Sequence, residues 1–219
     1  VNSASQQQWI SRNTQWGSWT GSNWNMVFVG AVNAPSGEWP SPPYTKIAQT
    51  PIVREKPFLA VDSAGAWSVR VPSLRSNSTG ITWAGGSTAG TTIPISQFYM
   101  ARPGDTVATI NNQLAAGMNL IFTPGIYELN GTIQVNRANT VLLGLGFATL
   151  RANTGLPIMS VADEDGVTIA GLFFDAGTTN SPVLLEVGPS NSSASHAANP
   201  TVLHDVFFRV GGASSGRAS

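Results

Sequence analysis

Thr168-Ile-Ala-Gly-Leu-Phe-Phe-Asp-Ala-Gly177 can be set over Val202-Leu-His-Asp-Val-Phe-Phe-Arg-Val-Gly211 so that apolar residues fall on apolar residues and Phe173-Phe174 on Phe207-Phe208. The two segments lie 34 residues apart. Upstream, Asn139-Thr-Val-Leu-Leu-Gly-Leu-Gly-Phe147 sets over Asp165-Gly-Val-Thr-Ile-Ala-Gly-Leu-Phe173 at an offset of 26. Short β-forming runs at 132–135, 158–162 and 183–187 recur between these segments. A period of this size, varying through its loops, is the pattern of a parallel β-helix, in which each coil is one unit stacked on the next. The added length of the last turn falls in 188–199, a Ser/Ala/Asn-rich loop. This alignment predicts that Ile169 stacks against Leu143 and Leu203, all three pointing inward.

Working outward, strands are expected at 119–122, 126–129, 132–135, 141–145, 158–162, 167–174, 183–187 and 202–210, with no helical segment between them. Parallel strands normally require a long, usually helical crossover, so short strands without helices either pair antiparallel or wind as a solenoid. An antiparallel sandwich of look-alike strands is the alternative, and the repeat favours the solenoid. The one helix expected spans 105–118, where Val107, Ile110, Leu114 and Met118 recur at helical spacing. Pro103-Gly104 stops the strand before it, Asp105 or Thr106 can cap its start, and Gly117 suits its end. Residues 1–100 read as a β-rich, β-sandwich-like N-terminal region, with an apolar strand at 26–32 and a hairpin of 57–62 with 66–71 across Ser63-Ala64-Gly65. Five prolines (Pro35, Pro40, Pro42, Pro43 and Pro51) mark 34–51 as an extended surface connection. The fold class is therefore all-β: this N-terminal region, then a capping helix and the first coils of a right-handed parallel β-helix over 101–219.

Composition narrows the function. Of 219 residues 42% are apolar, enough to bury a sizeable core, and only 10% are charged, 11 basic against 11 acidic. No run of like charge offers a footprint for nucleic acid, so no nucleic-acid partner is expected. Cysteine is absent, which excludes disulfides and thiolate metal sites. The apolar stretches at 26–32 and 141–145 fall short of the roughly 20 residues of a membrane span, so no membrane partner is expected. Val1 in the place of an initiator Met leads to the expectation that a signal or pro-segment has been removed. The Gly/Ser/Thr/Asn-rich composition likewise suits a secreted, extracellular β protein. Glycosylation tripeptides occur at Asn77, Asn130 and Asn191, each in an expected turn or loop.

Helix 105–118, then Asn119-Leu-Ile-Phe-Thr-Pro-Gly-Ile-Tyr127, then Asn139-Thr-Val-Leu-Leu-Gly-Leu-Gly146, resembles the opening of pectin-lyase-like β-helix proteins. In those a helix caps the first coil and a Pro-Gly-x-Tyr turn follows. Asn23-Trp-Asn-Met-Val-Phe-Val-Gly30, Arg54-Glu-Lys-Pro-Phe-Leu59 and Ser96-Gln-Phe-Tyr99 make nearly the whole chain similar to secreted microbial proteins carrying discoidin (coagulation factor 5/8 type) modules. Among characterised families these resemble α-1,3-glucanase (mutanase) and mycodextranase catalytic modules. The resemblance implies that the catalytic carboxylates lie on later coils, so it carries no catalytic residue onto this chain.

A glycoside hydrolase of the usual kind needs two carboxyl groups on one face, about 5 Å apart for retention or about 6.5–9.5 Å for inversion. Asp175 and Asp205 are the acids best placed on repeated strands, but the alignment sets Asp175 against Arg209 and Asp205 against Gly171. They are four positions out of register, about 13 Å along the strand direction. Turn capping or a surface ion pair is the plainer reading of each. Asp163-Glu164-Asp165 offers oxygen ligands for Ca²⁺ but lacks the Gly-spaced loop, and reads as a solvated turn. His196, in a loop, and His204, on a strand, have no metal-ligand spacing, so no metal is expected. Gly144-Leu-Gly146 lacks the third glycine and following helix of a dinucleotide loop, and no cofactor is expected. The serines of 211–219 have no positioned base. Trp9, Trp16, Trp19 and Trp24 crowd the N-terminus, where stacking on sugar competes with core packing. Trp39, in the Pro-rich loop, is the stronger candidate sugar contact and Trp19 the second.

These residues lead to the expectation of a secreted polysaccharide hydrolase acting on an α-1,3-linked glucan. The alternatives are a non-catalytic carbohydrate-binding β-helix, or a β-1,3-glucanase or polysaccharide lyase on the same fold. Because 211–219 reads as small, polar and flexible, the remaining coils are expected as a second chain, the C-terminal remainder of the same polypeptide, holding the catalytic carboxylates.

Overall fold

The structure, a computed structural model, describes residues 8–20, 25–86, 89–212 and 214–219. The chain forms two compact units that interleave in sequence, 1–55 with 71–91 and 56–70 with 92–219. The strands of the first half are β1 (Trp9–Arg12), β2 (Met26–Val29), β3 (Tyr44–Ile47), β4 (Thr50–Val53), β5 (Phe58–Val61), β6 (Trp67–Pro72), β7 (Arg75–Ser78), β8 (Gly90–Pro94) and β9 (Phe98–Ala101). Helix α1 (Val107–Ala115) follows, then β10 (Asn119–Phe122), β11 (Ile126–Leu129), β12 (Ile133–Val135), β13 (Val141–Ala152), β14 (Met159–Val161), β15 (Thr168–Ala176), β16 (Leu185–Val187), β17 (Val202–His204) and β18 (Phe207–Arg209).

In the first unit β1, β2 and β3 pair in parallel, with Trp9 beside Met26 and Met26 beside Tyr44. β4 pairs antiparallel with β7. The expected β-sandwich-like region is thus replaced by a parallel stack with a small antiparallel ribbon. The Pro-rich segment accounts for the difference. Pro35, Pro40, Pro42 and Pro43 all precede β3, so their missing N–H groups cost the ladder nothing, and the Pro43 carbonyl accepts from Met26 N–H at 2.9 Å. Pro51 sits exposed in a two-stranded ribbon, where proline is tolerated. What read as a surface connection therefore contains β3 and the start of β4, and Tyr44 is buried against Phe28.

The second unit carries the expected hairpin, β5 antiparallel to β6 with Leu59 opposite Val69. Asp62 closes its turn by accepting from the N–H groups of Ala64 and Ala66, both at 2.9 Å. Beyond it the chain winds as a parallel β-helix. One sheet runs β9-β10-β13-β15-β17, with β11 also on β13 and β18 also on β15, and a second runs β12-β14-β16. Every pair among these is parallel. Leu120, Phe122, Leu142, Leu150, Ile169 and Phe174 point into one core. Ile110 and Leu114 of α1 are buried against that core, with Val107 packed at its margin. Thr106 caps the helix by accepting from Thr109 N–H at 3.1 Å. The Pro-Gly-x-Tyr turn works through burial. Tyr127 is fully buried, its hydroxyl 2.8 Å from the Ala101 carbonyl, and a Cβ at Gly125 would lie 2.4 Å from Pro103.

Ile169 stacks on Leu203 as expected, but its other neighbour is Leu142 and not Leu143. The offset between β13 and β15 is 27 up to Leu143 and 24 from Ala148, because a bulge puts three extra residues into β13. An alignment at 26 averages the two registers and turns Leu143 to the wrong face. The segment 214–219 also departs from expectation. Arg217 N–H donates to the Gly177 carbonyl at 2.9 Å, Ser181 N–H donates to the Arg217 carbonyl at 3.2 Å, and Ala218 packs on the core. Small residues let the chain lie along the coil below it: a Cβ at Gly216 would sit 2.7 Å from the Ala176 carbonyl oxygen.

Candidate functional site

Alternation along a strand sends every second residue of the coils outward, and parallel register then lines up outward residues in rows. One row is charged. Glu128 of β11 faces Arg151 of β13, which faces Asp175 of β15, which faces Arg209 of β18. Arg151 donates to Glu128 at 2.8 Å and to Asp175 at 3.1 Å, while Arg209 reaches both oxygens of Asp175 at 2.8 and 2.9 Å. The Asp175 side chain is only 4% exposed. Hydrogen bonding from Arg209, with Arg151 adding, holds its carboxyl below the ordinary carboxylate range although burial opposes this. A carboxylate so held cannot donate a proton, and both its oxygens are engaged. Asp205 is held separately by Lys56 at 2.7 Å, in a left-handed turn (φ 48°) at the position where the coil before it has Gly171 (φ 68°). The two acids are held by different cations: Asp175 is a rung of a charge ladder and Asp205 a turn residue in a surface ion pair.

The neighbouring row is aromatic. Phe173 and Phe207 are opposite each other with rings stacked at 4.7 Å, and Phe147 lies 6.1 Å from Phe173. The β13 bulge delivers Phe147, which is 78% exposed at φ 62°. A bulky residue in that conformation costs of order 1–3 kcal/mol. Beneath the rings the backbones of Gly144 and Gly171 nearly touch: a Cβ on Gly144 would lie 2.2 Å from the Gly171 carbonyl oxygen. Rings, glycines and the Lys56–Asp205 pair enclose an open concavity of about 320 Å³. Sequence reasoning missed Phe147. Its signal was the mismatch between offsets of 26 and 34, which marks an insertion at Gly144-Leu-Gly146-Phe147.

A larger, amide-rich hollow of about 570 Å³ lies beside α1, lined by Asn111, Asn112, Gln134, Asn136 and Arg137 among others. Part of its polar lining is engaged internally, Asn111 with Thr132 and Gln134, and Arg137 with Asn119. On another coil, His196 places Nε2 2.7 Å from Asp163 and Nδ1 2.7 Å from Asp165. Carboxylates accept only, and a neutral imidazole has one N–H, so the imidazolium is the form that satisfies both contacts. Hydrogen bonds to Asp163 and then Asp165 accordingly raise the His196 pKa above its ordinary 6.5. Asp163 is lowered by hydrogen bonds from Ser192 and then His196. Asp163-Glu164-Asp165 thus anchors the 188–199 loop, and among the described residues no group of three or more His, Cys, Asp or Glu side chains is arranged to hold a metal ion.

Trp19 sits edge-on to Trp16 and Phe28 at 5.0 and 5.2 Å, inside a cluster with Trp9 that packs on Met26, Phe28 and Tyr44. Packing, not a free ring face, explains it. Trp39 is 62% exposed, with its backbone N–H donating to the Tyr44 carbonyl at 2.9 Å. Trp24 lies outside the described residues.

Parallel coils, a helix over the first of them and rows of outward side chains define a β-helix protein of the pectate lyase-like kind. The LAM55 pectate lyase-like domain matches residues 98–219, and the chain belongs to that family. It is 47% identical over all 219 residues to an exo-β-1,3-glucanase of Streptomyces sp. (strain SirexAA-E / ActE). Its structure matches that of sacteLam55A from Streptomyces sp. SirexAA-E with a TM-score of 0.95 at 47% identity, over 98% of this chain and 39% of that one. A variant of sacteLam55A in complex with glucose matches with a TM-score of 0.97, at 47% identity over 100% of this chain and 40% of that one. The chain spans 36% of the length of the curated relative.

Proposed function

We propose that the protein to which this chain belongs is an exo-acting glycoside hydrolase of β-1,3-glucan. The observation carrying this reading is identity of 47% along the full chain with a protein named for that activity, joined to superposition of the coils on a relative solved with glucose. The α-1,3 linkage expected from sequence gives way to β-1,3, one of the alternatives weighed there. Because Asp175 is held by Arg151 and Arg209 and Asp205 by Lys56, the proposal places the acid and base elsewhere. The test is glucose release by the intact protein from β-1,3-glucan, α-1,3-glucan and cellulose. Glucose from the first alone is the expected result. Release from α-1,3-glucan alone would restore the other linkage, and release from none with binding retained would support a carbohydrate-binding β-helix.

A further inference from the structure

We infer that the Phe147–Phe173–Phe207 concavity is a glucan contact, with one neutral hexose ring seated on Phe147. The inference rests on the β-1,3-glucan reading and adds to it a location on this chain. Four observations converge. First, Phe147 stands 78% exposed in a left-handed conformation that disfavours bulky side chains, at the tip of a three-residue insertion. Strained, exposed aromatics of this kind mark binding sites more than packing. Second, Gly144 and Gly171 bring two backbones together under the rings, so the floor there is backbone with the Lys56 ammonium beside it. Third, the concavity of about 320 Å³ is at the small end of the roughly 300–1,000 Å³ of ligand sites, which suits one ring of a chain and not a protein surface.

The fourth is charge. The rim holds one cation and one anion, Lys56 and Asp205, 2.7 Å apart and 42% and 64% exposed. An anionic sugar would have to displace Asp205 from Lys56, and a cation Lys56 from Asp205. An uncharged polyhydroxyl ligand can accept from the ammonium and donate to the carboxylate while both remain paired. The C–H face of a β-linked hexose lies against an aromatic ring, and the rings of Phe173 and Phe207 continue that apolar strip along the coil axis.

Retention of the intact protein on insoluble β-1,3-glucan is the test, with Phe147→Gly as the variant because glycine removes the ring and relaxes the backbone. Melting temperature confirms folding, and Leu156→Ala, an exposed residue away from the concavity, is the control. We expect Phe147→Gly to weaken retention at least tenfold and to reduce turnover of the long glucan at least fivefold more than turnover of a β-1,3-linked trisaccharide. Leu156→Ala should match the parent. Unchanged retention of Phe147→Gly, with glucose still released by the parent, would overturn the contact and leave the hydrolase reading standing. Phe147-dependent retention without glucose release would do the reverse. A change of oligomeric state in Phe147→Gly in place of lost retention would reassign the surface to a protein interface and overturn the contact.

Discussion

His196 between Asp163 and Asp165 shows how one side chain can make a loop sensitive to pH. Its folded pKa lies above 6.5, so its contribution is complete below that value and is lost as pH rises through the folded pKa. Asp163 is shifted the other way, below 3.8, so its contribution is present above that value and is lost as pH falls through the lowered pKa. Between these limits the 188–199 loop is held best; Glu164, in the same turn, is the other charged group near the imidazole. We expect the His196 ring to titrate in NMR with a midpoint above 6.5, and amide exchange in 188–199, corrected for its intrinsic pH dependence, to accelerate as pH rises through that midpoint. His196→Phe should remove the step; a midpoint at or below 6.5 would refute the arrangement. Residue by residue, the sequence was uneven. Asp175 against Arg209 was legible because both lie in the clean 34-residue repeat, whereas Arg151 was not, since the bulge shifts it two positions from where an offset of 26 puts it. His196 was unreadable, because its partners lie 31 and 33 residues away on another turn.

Elements with strong local signals emerged where they were read, although α1 (Val107–Ala115) is shorter at both ends than the expected 105–118. α1 had a stop, a cap and an apolar stripe, and β10 and β11 have the expected bounds because Pro124-Gly125 separates them. Leu114, 7% exposed on the buried face of α1, offers the direct check. Leu114→Asp removes a packed side chain and buries a charge, so unfolding free energy should fall by at least about 3 kcal/mol in denaturant titration. A loss below about 0.5 kcal/mol would mean that the face is solvated. Elements whose pairing depends on distant chain were not legible. β1, β2 and β3 are four residues each, and the Trp9, Met26 and Tyr44 register has no sequence echo to betray a parallel stack. Their prolines pointed to a loop, and only the placement of those prolines before the strand reconciles the two.

Over the whole chain 11 basic and 11 acidic residues give no net charge, and Glu128, Arg151, Asp175 and Arg209 on the coils are paired along the ladder. Attraction to a neutral glucan through ring stacking and hydrogen bonds should therefore be insensitive to ionic strength. Binding of the intact protein to β-1,3-glucan should change by less than about twofold between about 0.05 and 0.5 M salt; a tenfold fall would reveal an ionic ligand or a charged contact instead. The family resemblance read from sequence held at the level of a pectate lyase-like glucanase fold, while the similar protein is named for β-1,3-glucan and not α-1,3-glucan; the motifs behind the resemblance, the helix, the turn and the glycines, are structural positions shared by enzymes of different specificity.

The bulge in β13 and the loop at 188–199 have a practical consequence. Paired positions lie 27, then 24, then 34 residues apart in sequence, yet pairing resumes in register after each change. Loop length is thus a free variable for this architecture, and foreign peptide can be grafted where the chain already detours. An affinity tag spliced into the exposed stretch at 190–195, with loss of the Ser192 bond to Asp163, would give a tether for immobilising the protein on a solid support.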